Sequence, residues 1–371
     1  MKQDQAKLIL ARDGFPYLGG SSTLLYLLFE SLQKKLPRAE CWNIVTPRVW
    51  AMGRKHYGPY WTNPKGLKNV RTFFVNGSRG EASIRMALRK KSIVGVLSKN
   101  RKTTTLLKRL NSHVPVWHLT STCSIIKNAV ASDRLRTMES AIRKMRRGQF
   151  PKFRCPEELQ AVRSADRILF HTKNMRFWYY TFYPQHREKM EEEIFWDYPL
   201  LKKQFHQVHG KNTWRKRSID LLFVATDWRR GEKNFPLLKQ LCRSFKGKKI
   251  MVVGFLPERL PDSVITFDTM SQDDVVQAMG QAKVLVCSSR YDEAPNVLFE
   301  AAIAGANIVC SKNCGNYKLT REEYVARLKP DDFVRKIKLA LRRYRPANTE
   351  DFLKGDLSHW VFKQLSSKET R

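Results

Sequence analysis

The residues best suited to chemistry lie in segment 284–316, VLVCSSRYDEAPNVLFEAAIAGANIVCSKNCGN. An apolar run ends at Ser288-Ser289, and a polar loop carrying Asp292 and Glu293 follows. Pro295 stands at the first position of a helix, where its fixed φ is already helical. Gly305 supplies the stop. Unbonded amides at such a helix start favour a phosphate. Inside the helix, Glu300 is flanked by Leu298, Phe299, Ala301 and Ala302. A carboxylate in that setting needs donors to accept from, and the vicinal diol of a ribose offers two. The plain alternatives are a solvent-facing Glu or one paired to a neighbouring Lys, because structural ion pairs resemble functional sites.

Short apolar runs alternate with helical patterns along the whole chain, the pattern of βα units around a parallel sheet. Strands are predicted at 7–12, 41–45, 70–75, 93–97, 114–119 and 167–171, then at 219–225, 249–254, 264–267, 284–287 and 307–310. A helix is expected over Ser22–Lys34, and Ser271 with Asp274 reads as a capping box. The stretch 201–217, polar and basic, separates the two series. The expected organisation is an α/β chain of two Rossmann-like, doubly wound domains. Residues 1–200 form the first, 201–217 the linker and 218–346 the second, and 347–371 end the chain in a helix packing back on the first domain. Domains of this kind, facing each other, bind ligands in the cleft at the carboxyl ends of their strands.

Ser-Arg-Tyr-Asp-Glu-Ala-Pro-Asn-Val-Leu-Phe-Glu-Ala, from Ser289 to Ala301, resembles the nucleotide-sugar signature of retaining GT-B glycosyltransferases of family GT4. Asp292 and Glu300 stand at its two acid positions, and Ala302 and Gly305 near its small residues. Gly315 is similar to the family's later glycine loop, with Asn316 in place of the usual second Gly. Pro16 and Gly19-Gly20 match the first glycine loop, Ser164–Thr172 the end of the N-terminal domain, and Leu221–Asn234 the opening of the second.

The resemblance implies roles for these residues. Glu300 would hold the ribose hydroxyls. Asp292, with the backbone amides of Glu293 and Ala294, would contact the donor sugar, or Glu293 would supply that carboxylate instead. Pro295, Asn296 and Gly315 would belong to the donor site. Lys233 and Arg230, with Arg229 as the competing arginine, would be the cations of the diphosphate, where fixed charge meets developing negative charge; a solvated basic turn is the alternative. Gly19, Gly20 and Ser21 would bring backbone donors to the donor phosphates. His118, or Ser121 under a shifted alignment, would lie near the sugar, although a His in an apolar strand is more often a core residue. His206 and His209 have metal-binding spacing but no accompanying Cys or carboxylate and read as linker; the resemblance, with no Asp-x-Asp in the chain, implies no bound metal and no cofactor, the nucleotide-diphospho-sugar being a substrate.

Sixty-nine Lys and Arg against 34 Asp and Glu give a formal charge of +35 over 371 residues. Such an excess attracts polyanions: nucleic acid, anionic lipid or an acidic acceptor. With 42% hydrophobic residues the chain builds cores and is not disordered. No apolar stretch reaches the ~18–20 residues a membrane span needs, and the opening MKQDQAKLILARDG is too short in apolar residues for a signal peptide. Seven scattered cysteines without a C-x-x-C indicate a reducing, cytoplasmic setting. Ser132–Gln149 reads as a basic amphipathic helix, its Arg134, Arg136, Arg143, Lys144, Arg146 and Arg147 suited to the inner face of an anionic membrane, or else solvated around a packed stripe.

The expected function is sugar transfer from a nucleotide-diphospho-sugar to a hydroxyl on a cell-envelope glycan or a lipid-linked or lipopolysaccharide saccharide. Two alternatives stand beside it: a glycosyltransferase acting on modified bases of nucleic acid, and a non-catalytic GT-B binding protein.

Overall fold

A computed structural model of the chain describes residues 7–12, 20–34, 36–48, 50–51, 69–89, 93–120, 123–131, 155–196, 198–205 and 214–366. Pro16, Gly19, Ser121, His206, His209 and the basic segment 132–149 lie outside the described residues. The chain divides into two compact units. One comprises Met1–Cys123, Cys155–Trp196 and Gly355–Arg371; the other comprises Ser124–Arg154 and Asp197–Lys354.

The first unit is built on seven parallel strands: β1 (Lys7–Arg12), β2 (Glu40–Val45), β3 (Val70–Phe74), β4 (Ile93–Ser98), β5 (Val116–Leu119), β6 (Arg167–Phe170) and β7 (Met190–Ile194). Their order is β3-β2-β1-β4-β5-β6-β7, so the winding reverses between β1 and β4. Central strands covered on both faces must be apolar throughout, and Leu8, Ile9 and Leu10 of β1 are fully buried. β7, MEEEI, has no counterpart in the sequence reading. Its three glutamates hide the alternation, and as an edge strand it keeps only its two end residues buried.

The second unit has six parallel strands: β8 (Ile219–Asp227), β9 (Ile250–Phe255), β10 (Val264–Phe267), β11 (Ala282–Cys287), β12 (Asn307–Ser311) and the two-residue β13 (Val325–Ala326). The order β10-β9-β8-β11-β12-β13 reverses between β8 and β11. Its core joins Leu221, Phe223, Val252, Val284 and Val309 to Leu238 and Leu241 of the helix Phe235–Ser244 and to Phe333 and Ile337 of the helix Pro330–Arg342. Gly254 has φ +123, and a Cβ there would sit 1.8 Å from the Ala225 carbonyl oxygen, so β8 and β9 approach as only glycine permits.

The stretch 201–217 is helical at its start, within Tyr198–Phe205, and anchored at its end. Trp214 Nε1 donates to the Lys283 carbonyl at 2.8 Å, and the buried Arg217 guanidinium donates to the Ala282 and Ala304 carbonyls at 2.8 Å each. The helix Pro330–Arg342 of the second unit stops at Arg342. Tyr344 therefore lies outside it and is exposed. Among the described residues no helix is long and apolar enough to cross a membrane.

Candidate functional site

The switch point of the second unit lies where β8 and β11 are neighbours, and the loops leaving their carboxyl ends hold the charged residues singled out by sequence. After β8, a short 3-10 turn, Gly231–Lys233, precedes Asn234, whose φ of +60 is left-handed. Asn tolerates that region better than most residues, and its side-chain amide donates to the Ser288 carbonyl at 3.1 Å, fastening the turn to the end of β11. The Arg290 amide donates to the Glu232 carbonyl at 2.8 Å and adds a second tie.

This clamp sets Lys233 against Asp292, with Nζ to Oδ2 at 2.5 Å. Burial would lower the lysine's pKa, but the Asp292 charge and hydrogen bond outweigh it and hold the ammonium above its ordinary value. Arg230 Nε donates to Glu232 Oε1 at 2.8 Å, and Lys127 Nζ lies 3.6 Å from the same oxygen. Burial, then the charge of Arg230, lower the Lys127 pKa, and Glu232 restores part of it. Three cations, Lys127, Arg230 and Lys233, thus gather about two carboxylates. Arg229 belongs elsewhere: it forks onto Asp227 at 2.8 and 2.9 Å and lies over the Phe255 ring.

Lys127 was absent from the sequence reading. It sits in the helix Ser124–Ala131, within a segment that sequence order assigned to the first domain and that packs with the second unit. No motif marks it; only the contact with Glu232 does.

The loop after β11 is laced to the turn after β12. The Asp292 amide donates to the Asn313 carbonyl at 3.2 Å, and the Gly315 amide donates to the Asp292 carbonyl at 2.8 Å. The Asn313 side chain donates to the Arg290 carbonyl at 2.8 Å. The carboxylate of Glu293, the alternative first acid, is buried and accepts a hydrogen bond from the Tyr291 hydroxyl. Gly315 lies in the turn as expected. The side-chain amide of Asn316 donates to the Pro295 carbonyl at 3.1 Å and so braces the start of the next helix.

That helix is Asn296–Ile303, with Pro295 its N-cap rather than its first residue. Gly305, at φ +68, ends it in a Schellman arrangement: the Ala306 amide donates to the Ala301 carbonyl at 2.9 Å and the Gly305 amide to the Ala302 carbonyl at 3.2 Å. Glu300 is 4% exposed between the fully buried Phe299 and Ala301. It does not face open water. Near the helix start, Asn296 Oδ1 and Asn316 Oδ1 are buried acceptors with no hydrogen-bond partner among the described residues. Ala294, next to Pro295, is half-buried.

In the first unit, Gly20 opens the helix Gly20–Gln33, and Ser21 follows it. His118, the expected sugar neighbour, lies within the first unit's packing. It is 1% exposed on β5, with Nδ1 2.8 Å from the Thr104 hydroxyl of the helix Arg101–Leu110. Burial first, then the nearby charge of Arg101, lower its pKa to about 3. The strand presents His118 to a helix packed on the sheet, which is the setting of a core histidine.

Among the described residues no group of three or more His, Cys, Asp or Glu side chains could hold a metal ion. The arrangement at β8 and β11 offers fixed cations in the loops, a helix start and, within that helix, a buried carboxylate.

Residues 209–349 match the sequence family described as Glycosyl transferases group 1. No curated protein matches the chain at a significant level. The fold is similar to that of Anabaena HepE in complex with UDP, at 13% identity and a TM-score of 0.61, over 98% of this chain and 100% of that one. It is also similar to an alpha-glucosyltransferase in complex with UDP-glucose and DNA containing an abasic site, at 13% identity and a TM-score of 0.58, over 98% and 99% of the chains. WaaG, a glycosyltransferase involved in lipopolysaccharide biosynthesis, matches at 15% identity and a TM-score of 0.55, over 98% and 95%. The chain has the two-sheet α/β fold of the GT-B glycosyltransferases, as the signature at 289–301 implied.

Proposed function

We propose that this chain is a retaining, metal-independent glycosyltransferase that takes its sugar from a nucleotide-diphospho-sugar. The observation that carries this reading is the cation cluster Lys127, Arg230 and Lys233 after β8, beside the loop that leads to the buried Glu300. Charge of that sign suits a departing diphosphate, and Glu300 suits the ribose.

In the proposed reaction the bond between the anomeric carbon and the diphosphate oxygen breaks as the acceptor hydroxyl attacks the same face. The acceptor proton passes to the departing diphosphate, so no protein nucleophile is required. Lys233 is already ionised and aimed by Asp292, and no reorientation is needed when charge develops; fixed groups of this type contribute several kcal/mol to the transition state, about 3–4 kcal/mol for a single donor. Asn316 braces the Pro295 carbonyl at the start of the helix, whose first amides suit a phosphate.

The acceptor in this proposal is a saccharide presented on an anionic membrane face, in keeping with the charge of +35. The same charge favours duplex DNA as the second reading. Flotation on anionic vesicles without tight duplex binding supports the first. Duplex affinity falling with log salt at a slope near −0.9 per phosphate contact supports the second.

The donor reading is tested by thermal shift against UDP-, GDP-, ADP- and CMP-sugars. A donor at a hundred times its dissociation constant adds about 2.7 kcal/mol. Stabilisation by at least one diphospho-sugar is expected, and none by CMP-sugars, which lack the second phosphate. Silence from every diphospho-sugar would overturn the proposal in favour of a non-catalytic GT-B protein.

A further inference from the structure

We propose that Cys287 and Cys314 form an oxidative modification site, a pair of thiols that a peroxide converts to a disulfide and a reductant restores. Their sulfurs are 3.7 Å apart, although 27 residues separate them in the chain. Cys287 closes β11, and Cys314 lies in the turn after β12. A disulfide bond is about 2.05 Å long, so closing the pair asks for less than ~2 Å of movement from side chains already in contact.

The two thiols are not equivalent. Either sulfur can donate the hydrogen bond between them; that contact, with the Lys233 ammonium and the Ser289 hydroxyl, holds the Cys287 thiol below its ordinary range against burial and the Asp292 charge. The same hydrogen bond, with a second to Cys310 and burial, pushes the Cys314 thiol up. Thiolate character decides which sulfur reacts first, so Cys287 attacks and Cys314 resolves. It is also the less enclosed of the two, at 7% exposed against 0%. The Cys287 thiolate takes one oxygen of the peroxide, becomes a sulfenic acid and releases hydroxide, which collects the thiol's proton as water. The Cys314 sulfur then displaces the sulfenic oxygen as a second water. Two thiols and one peroxide become one disulfide and two waters.

The consequence falls on the site. Cys314 bridges Asp292 through the backbone, and the Gly315 amide is bonded to the Asp292 carbonyl. Drawing Cys314 toward β11 displaces the segment that aims Asp292 at Lys233. This effect on donor binding rests on the function proposed above; the cross-link itself does not.

The experiment treats the full chain with hydrogen peroxide, then counts titratable thiols and maps peptides by mass. The expected result is a loss of two thiols, a cross-linked peptide joining Cys287 to Cys314, and full reversal by dithiothreitol. Cys310→Ala should leave that cross-link in place, and Cys314→Ala should abolish it. Should Cys314→Ala fail to fold, the map of the unmodified sequence decides. An unchanged thiol count, a cross-link to Cys310, or a sulfinic acid at Cys287 without a disulfide overturns the proposal. In the same samples the UDP-, GDP- or ADP-sugar that stabilises the reduced protein should stabilise the oxidised one less. Silence from all three in both forms counts against the donor reading and leaves the peptide map to decide the thiol pair.

Discussion

Lys233 and Asp292, 59 residues apart in the chain, meet with Nζ 2.5 Å from Oδ2, their side chains 16% and 19% exposed. The pair joins the loop after β8 to the loop after β11, the two edges of the switch point. Neither charge suits its enclosure alone. Lys233→Met should destabilise the second unit by about 2–3 kcal/mol, below the ~3–5 of a fully buried pair because both groups keep some water. Asp292→Asn should act similarly, and the double variant should lose less than the sum. Urea denaturation of the four proteins measures this, and strict additivity would contradict it. The lysine pKa is raised in the folded state. The lysine's contribution is therefore fully present below its unfolded value, near 10.5, and is lost as pH rises through the higher folded value.

Glu300→Gln keeps the size of the side chain and removes its charge, so the variant reads donor binding directly. Hydrogen bonds to a charged group contribute about 1.5–3 kcal/mol, and donor affinity should fall by ~10–100-fold. Calorimetric titration with the stabilising donor reads the affinity. A variant that melts far lower yet binds normally would assign Glu300 to the core.

His118 predicts a pH dependence in the first unit. Its folded pKa is about 3, depressed by burial and then by Arg101, against ~6.5 in an unfolded chain. A depressed folded value means stability present above the unfolded pKa and lost as pH falls toward the folded one. Unfolding free energy should therefore decline between about pH 6.5 and 3, and His118→Gln should flatten that slope. Transfer activity near neutral pH should survive the substitution, provided it folds. Activity abolished in a folded His118→Gln protein would restore the histidine to the site.

The central strands were legible because parallel strands covered on both faces must be apolar along their middle, and the buried runs in KLILAR and IDLLFVA announce themselves. The signature from Ser289 to Ala301 was legible for a related reason. A strand end, a proline-led helix and a glycine stop are local devices, and local devices leave local spacing. β7 escaped because an edge strand needs only two buried residues. His118 stayed open between two readings because a buried histidine and a ligand-facing one have the same neighbours in sequence.

The sequence alone thus determined the α/β class and the placement of Glu300 in an apolar helix, since each depends on residues within one or two turns of chain. Only the tertiary structure decided that Lys127 joins Arg230 and Lys233, that Arg229 turns away to Asp227, and that Cys287 touches Cys314. These contacts form where distant strands end side by side, and their register is set by the packing of whole sheets, which no short stretch of sequence contains.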